Sequence, residues 1–267
     1  MDYREYAPAP QLAEGIDRYW SLEGCNYAPE AEPLLPDGHS EIIVHIADPF
    51  AGQSRELWAG QLDRALTLTP SRRVCAFGVR FRPFGAWTFT GFSQDQIVGQ
   101  IIALDSVWKR EFAERIGNAP SMPARVAAAN EYLTTLRRRT PDHRLTAAVA
   151  ILESDPFARI DDVARDVACG RRHLERLFRE QVGLTPKSLG LIFRLQRSVR
   201  LRRTFDDWTW SRIAAEAGYY DQSHLIADFH RIGGEAPSEL LRAQADFARA
   251  MVRDGGAGRR CDTITPA

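Results

Sequence analysis

The chain has 267 residues, 44% of them hydrophobic, with 35 basic and 35 acidic side chains. That length favours two domains, each able to bury its own core, and the balanced total charge neither implies nor excludes a nucleic-acid partner. Cys25, Cys75, Cys169 and Cys261 lie far apart with no Cys-x-x-Cys pair, which argues against a structural zinc site and against a secreted disulfide scaffold.

Met1-Asp-Tyr-Arg-Glu-Tyr has neither the basic lead nor the apolar core of a signal peptide. No apolar run reaches the roughly 20 residues of a membrane helix. The expectation is a cytoplasmic protein with no membrane partner.

Residues 1–92 read mainly as strands. Ile42, Val44 and Ile46 alternate with Glu41, Ile43 and His45, and Cys75, Phe77, Val79 and Phe81 alternate with Ala76, Gly78, Arg80 and Arg82, the period of two expected of a strand. Shorter candidates are 16–22, 56–59 and 65–69, divided by Gly, Pro and Asp turn signals. Short strands with such punctuation predict a small β-barrel or sandwich, and the absence of helical stretches between them argues against a parallel sheet. Helical spacing begins after Pro83. Val107, Trp108, Phe112 and Ile116 predict one helix, and 124–139 a second whose final Arg137, Arg138 and Arg139 suit the negative end of the helix dipole. Leu145, Ala148, Val149 and Leu152 predict a third.

His39, Glu41 and His45 alternate on one strand face and raise the question of a metal-dependent enzyme. The two histidines are six residues apart, about 20 Å along an extended strand, too far for one ion unless the chain bends sharply at Asp37-Gly38. No metal and no cofactor is expected. Trp58, Phe77, Phe81 and Trp87 are candidates for an apolar ligand pocket, with burial in the core as the alternative for each.

The most informative stretch runs from Ile160 to Pro237, where one pattern occurs twice. Ile160, Val163, Ala164 and Val167 are followed by Leu174, Phe178, Gly183 and Pro186; Ile213, Ala214 and Ala217 are followed by Leu225, Phe229, Gly234 and Pro237. From the leucine onward the offset is 51 residues, and across the turn, where Gly218 lies, it is 50. Two short helices joined by a tight turn, repeated once, predict a double helix-turn-helix. Gly183 is placed to cap a helix in the left-handed conformation, and Pro186 to bar its continuation.

The two copies differ in charge. Between 171 and 203 there are ten cations against Glu175 and Glu180, a net +8; between 204 and 240 Arg212 and Arg231 face seven carboxylates, a net −5. The outward face of the first copy (Arg171, Arg172, Glu175, Arg176, Arg179) becomes Gln222, Ser223, Ile226, Ala227 and His230 in the second. The electrostatic footprint for DNA therefore falls on the first copy and on the segment that follows it.

Gly218-Tyr-Tyr-Asp-Gln-Ser-His-Leu with Phe229, Gly234 and Pro237-Ser238, together with Leu174, Arg176, Phe178, Gly183 and Pro186 and the connecting Phe193-Arg194-Leu-Gln-Arg, resembles the signature of AraC/XylS-type transcription regulators over about residues 145–242. Leu35-Pro-Asp-Gly-His-Ser-Glu-Ile-Ile-Val resembles the cupin-like sensor domains attached to some of them. The resemblance implies a seven-helix DNA-binding domain whose two recognition helices enter successive major grooves, with contacts about 10 bp, or roughly 34 Å, apart. Carried onto this chain, it assigns base contacts to Arg171, Arg172, Glu175 and Arg176, with His173 beside them, and a weaker second set to Gln222, Ser223 and His224. Arg179, Lys187 and Arg194 are phosphate-binding or structural. Two departures stand out: Gly170 where the family has Ser, and Ala227 where it has Arg.

The expected class is α+β. Residues 1–118 form a cupin-like sensor or dimerisation domain, 119–141 a helical linker, 142–242 the double helix-turn-helix domain, and 243–267 a helix extension with a disordered tail. The expected function is sequence-specific, effector-responsive transcription regulation by a protein that is not an enzyme. The rivals are a metal-dependent barrel enzyme fused to a DNA-targeting domain, and a regulator with a purely structural dimerisation module. Candidate partners besides double-stranded DNA are RNA polymerase, a small-molecule effector and a second copy of the chain.

Overall fold

A computed structural model describes residues 2–25, 31–108 and 110–242; the expected helix extension and tail lie outside them. The first half is built on a six-stranded sheet: β1 (Asp2–Tyr6), β2 (Ile16–Cys25), β4 (Glu41–His45), β5 (Glu56–Ala59), β7 (Arg73–Phe81) and β8 (Ile101–Ala103), in the order β1-β2-β7-β4-β5-β8. All its pairings are antiparallel. Between them in sequence, β3 (Glu32–Leu34) and β6 (Leu66–Leu68) pair as a separate two-stranded sheet. The large sheet ends in two unjoined edge strands, so the expected barrel is not closed. Three strands of this half, β1, β3 and β8, carry no alternating apolar signal, and partners elsewhere in the chain make them strands.

Alternation along the central strands gives the sheet two different faces. On one, Tyr19, Ile42, Val44, Trp58, Phe77, Val79 and Phe81 pack against Phe112 and Ile116 of α2 (Glu111–Asn118) and Ala129 and Leu133 of α3 (Met122–Leu136), a dry core. A short helix, α1 (Trp87–Thr90), adds Phe89 to it. On the other face lie Trp20, Leu22, Val74 and Ala76, with Phe50, and this face is only partly covered.

Helix α3 ends at Leu136, before the three arginines expected to close it. Arg137 instead pairs with Glu14 and donates to the Gln11 carbonyl at 2.7 Å, while the Arg138 amide donates to the Thr88 carbonyl. The Arg139 guanidinium lies 4.8 Å from the ring centre of Trp87. The cluster ties the connecting segment to the sheet half and leaves the helix dipole unserved.

The second half is helical: α4 (His143–Ser154), α5 (Ile160–Asp166), α6 (Arg171–Gln181), α7 (Pro186–Thr204), α8 (Trp210–Ala217) and α9 (Gln222–Gly233), with residues 237–242 again helical. Both halves of the repeat fold as two helices around a turn, and α7 joins them. Leu174, Phe178, Leu225 and Phe229, the matched residues of the repeat, are all fully buried in one cluster with Leu145, Leu189 and Ile213. That cluster also takes in Leu35 and Phe84 from the sheet half.

Candidate nucleic-acid interface

The two repeat units present their second helices differently. Helix α6 begins after Gly170, which has no side chain to cap it. The turn before it holds Ala168 at φ 50°, a left-handed conformation that a β-carbon disfavours. Its counterpart in the second unit is Gly218 at φ 94°, which adopts it without that cost. Helix α9 begins at a conventional cap: the Asp221 carboxylate accepts a hydrogen bond from the His224 amide at 2.8 Å. Gly183 and Gly234 close α6 and α9 with φ of 90° and 80°, the left-handed caps expected from their spacing.

On α6, Arg171, Arg172, Arg176 and Arg179 are exposed, while Leu174, Leu177 and Phe178 face inward. Arg171 is held by Asp161 of α5 at 3.1 Å and by Glu175 at 3.0 Å, and these pairs raise the pKa of its guanidinium. Arg176 lies 3.0 Å from the His173 ring and 3.8 Å from Glu180. These are solvent-exposed contacts, weak enough to be exchanged for phosphate or guanine at little cost. On α9, Ser223 and His224 are exposed and Gln222 accepts a hydrogen bond from Ser211 at 2.6 Å. The His224 ring stands edge-on to Tyr219, 5.2 Å away.

Helix α7 sets the two units against each other. Arg194 Nε donates to Asp228 Oδ2 of α9 at 2.5 Å, and Asp228 is only 2% exposed. The same guanidinium sits 5.2 Å from the Phe157 ring and 5.7 Å from that of Tyr219. Arg194 is therefore a structural residue, and the pair takes one charge out of each count made above, leaving the contrast between the units intact.

The sheet half grips all three of these helices. Residues 94–97 form a single 3-10 turn against α6, where a β-carbon on Gly183 would come within 2.9 Å of the Gln94 carbonyl oxygen. The Ala65 amide donates to the Ile232 carbonyl of α9 at 2.7 Å, and the Gln196 side chain of α7 donates to the Pro36 carbonyl at 2.7 Å. Phe193 packs so close to Gly38 that a β-carbon there would come within 2.8 Å of its ring, and Gly38 holds φ +85°.

Between α7 and the uncovered sheet face is a cavity of about 660 Å³. Trp20, Ile43 and Arg80 of the large sheet, Leu34 and Leu68 of the small one, and Phe193, Gln196 and Val199 of α7 line it. The expected pocket residues lie elsewhere. Trp58, Phe77 and Phe81 are buried on the opposite sheet face, and Trp87 packs beneath Arg139. Of the residues weighed for a metal, His39 Nδ1 donates to the Phe81 carbonyl at 2.7 Å and Glu41 binds Arg80. His45 is buried against Phe50, where burial, chiefly, and then Arg55 lower its pKa to about 4. Among the described residues no group of three or more His, Cys, Asp or Glu is placed to hold a metal ion, and no helix is long and apolar enough to cross a membrane.

A helix-turn-helix domain family matches residues 163–243, and a domain of unknown function (DUF6597) matches residues 4–103. No curated protein sequence matches the chain. Among solved structures, ToxT from Vibrio cholerae is similar over 84% of this chain and 98% of its own, at 12% identity and a TM-score of 0.50, a likeness of fold. An AraC-type regulator from Chromobacterium violaceum is 27% identical over 38% of this chain and 91% of its own, with a TM-score of 0.33. With its repeat, its caps and its matched segment taken together, the C-terminal half of the chain carries a helix-turn-helix domain of the kind found in DNA-binding transcription regulators.

Proposed function

We propose that this regulator reads DNA unequally with its two units and answers to a small molecule held between its halves. The observation that carries the proposal is the double position of α7: one side walls the cavity through Phe193, and the next residue, Arg194, anchors α9. A ligand in the cavity touches the helix that holds the two readers in register. Differential binding to two arrangements of that helix is what an effector requires.

In this reading Arg171, Arg172, Glu175 and Arg176, with His173, take base edges from α6, and Arg179 and Lys187 take phosphates. Gln222, Ser223 and His224 form a second and weaker set. The domains divide at about residues 118 and 142, and RNA polymerase and a second copy of the chain are further partners proposed from the family resemblance. Catalysis forms no part of the reading.

Selection of bound sequences from random DNA tests the core of it: one well-specified half-site and one degenerate half-site about 10 bp apart are expected. Two equally specified half-sites would contradict the asymmetry. A small-molecule panel, scored by thermal stabilisation and then by affinity for the selected DNA, tests the effector. Stabilisers that leave DNA affinity unchanged would favour a structural dimerisation module instead.

A further inference from the structure

We infer that the cavity is built for a flat, uncharged aromatic ligand that carries a hydrogen-bond donor, a phenolic hydroxyl or a ring N–H. This rests on the reading of the cavity as the effector site and names the chemistry of what enters it. The volume of about 660 Å³ is that of a small-molecule pocket.

Its floor is aromatic. Trp20 and Gly78 are directly paired across β2 and β7, and a β-carbon on Gly78 would lie 1.9 Å from Trp20 Cε2. The glycine lets the indole lie across the neighbouring strand, where any side chain would displace it. Trp20, 8% exposed, thus contributes part of its indole to the cavity lining, flanked by Ile43, which pairs with Gly78 on its other side. A planar ligand gains most from such a surface.

The polar end chooses the ligand's functional group. One pair further along the sheet, Arg80 stands opposite Arg18 on one side and Glu41 on the other. Both arginines are already satisfied, Arg80 by Glu41 and Asp37, Arg18 by Glu5 and Asp17. Burial works against the Arg80 charge, but the two carboxylates outweigh it and drive its pKa upward. Around the whole cavity four cations, Arg18, Arg80, Arg200 and Arg203, balance four carboxylates, Glu32, Asp37, Glu41 and Glu153. A ligand charge of either sign would enter a wall that is already neutral, and losing its hydration there is costly.

What the polar end does supply is acceptors. The carboxylates of Asp37 and Glu41 keep oxygen lone pairs beyond those that bind Arg80. His39 gives its Nδ1 proton to the Phe81 carbonyl, so in the neutral ring Nε2 is an acceptor. A ligand group that donates is matched by these three acceptors.

Isothermal titration of the full chain with 2-naphthol, 2-naphthoate and 2-(aminomethyl)naphthalene separates the cases, since the three share one flat body. The expected result is one site per chain, with the naphthol binding at least tenfold tighter than either charged probe. Leu34→Trp, at a lining position already 39% exposed and outside the buried clusters, places a larger side chain in the cavity. It should abolish binding while leaving the melting temperature unchanged. His39→Phe should reduce the preference for the naphthol to threefold or less. Tighter binding of either charged probe overturns the ligand class, and no binding, or binding that survives Leu34→Trp, overturns the site. If the naphthol binds as expected and DNA affinity does not move, the effector reading fails and the ligand class stands.

Discussion

The first helix-turn-helix unit has an alanine at the left-handed position of its turn, an uncapped second helix and four exposed arginines; the second has a glycine at that position, an aspartate cap and a buried ion pair beneath its second helix. One presents charge on a helix without a side-chain cap, and the other is capped and presents little charge. In the proposed reading a pair of readers needs attraction to DNA and a defined mutual placement, and the two requirements fall on different copies. Arg194 and Asp228 provide the placement from inside, so the second unit's surface is not needed for it.

The largest expected effect tests the buried anchor. Arg194→Ala leaves the Asp228 carboxylate, 2% exposed, without its cation, and should destabilise the fold by about 3–5 kcal/mol in urea or thermal denaturation. The paired change Arg194→Met with Asp228→Leu should recover most of that loss. A cost below about 1 kcal/mol for the single change would mean that the pair does not hold the second unit.

Next comes DNA affinity. Arg172→Ala and Arg176→Ala should each cost about 1–3 kcal/mol of specific binding at fixed salt, and Gln222→Ala clearly less. Equal losses in a binding titration would erase the distinction between the units. Affinity should also fall steeply with added salt, and less steeply in the arginine variants.

The caps give smaller effects of opposite direction. Asp221→Ala should cost about 1 kcal/mol of stability, whereas Gly170→Ser should add a few tenths. If both changes were neutral, the difference in helix starts would have no energetic content. The smallest effect belongs to the turn of the first unit. Ala168→Gly relieves a left-handed residue at about 1–2 kcal/mol but adds freedom to the unfolded chain. A net gain under about 1 kcal/mol in denaturation midpoint analysis is expected, and a net loss would show that the turn is not strained.

Much of the helical half was legible in sequence because its signals are local. Leucine and phenylalanine spacing places buried residues one or two turns apart on a single helix, and Gly183, Gly234, Pro186 and Asp221 mark helix ends through their own backbone chemistry. The sheet half was legible only in part. Alternation divides β7 correctly into Phe77-Val79-Phe81 and Ala76-Gly78-Arg80, but a period of two does not say which set meets helices and which meets a cavity. The aromatics assigned to a pocket are core for that reason, and Trp20 and Phe193, which do line it, carry no signal of their own. Arg137, Arg138 and Arg139 mislead similarly, since a basic run looks the same whether it faces a helix end or an acidic neighbour 123 residues away.

The sequence by itself determined that there are two helix-turn-helix units, which residues close their second helices, and which unit carries the positive charge, since these depend on residues within a few turns of one another. Only the tertiary structure decided that Arg194 is buried against Asp228, that the sheet half holds α6, α7 and α9, and that a cavity lies against α7. The hydrogen bonds in those features join residues from 34 positions apart, Arg194 and Asp228, to 167 apart, Ala65 and Ile232, and no local pattern encodes which distant surfaces come to exclude water together.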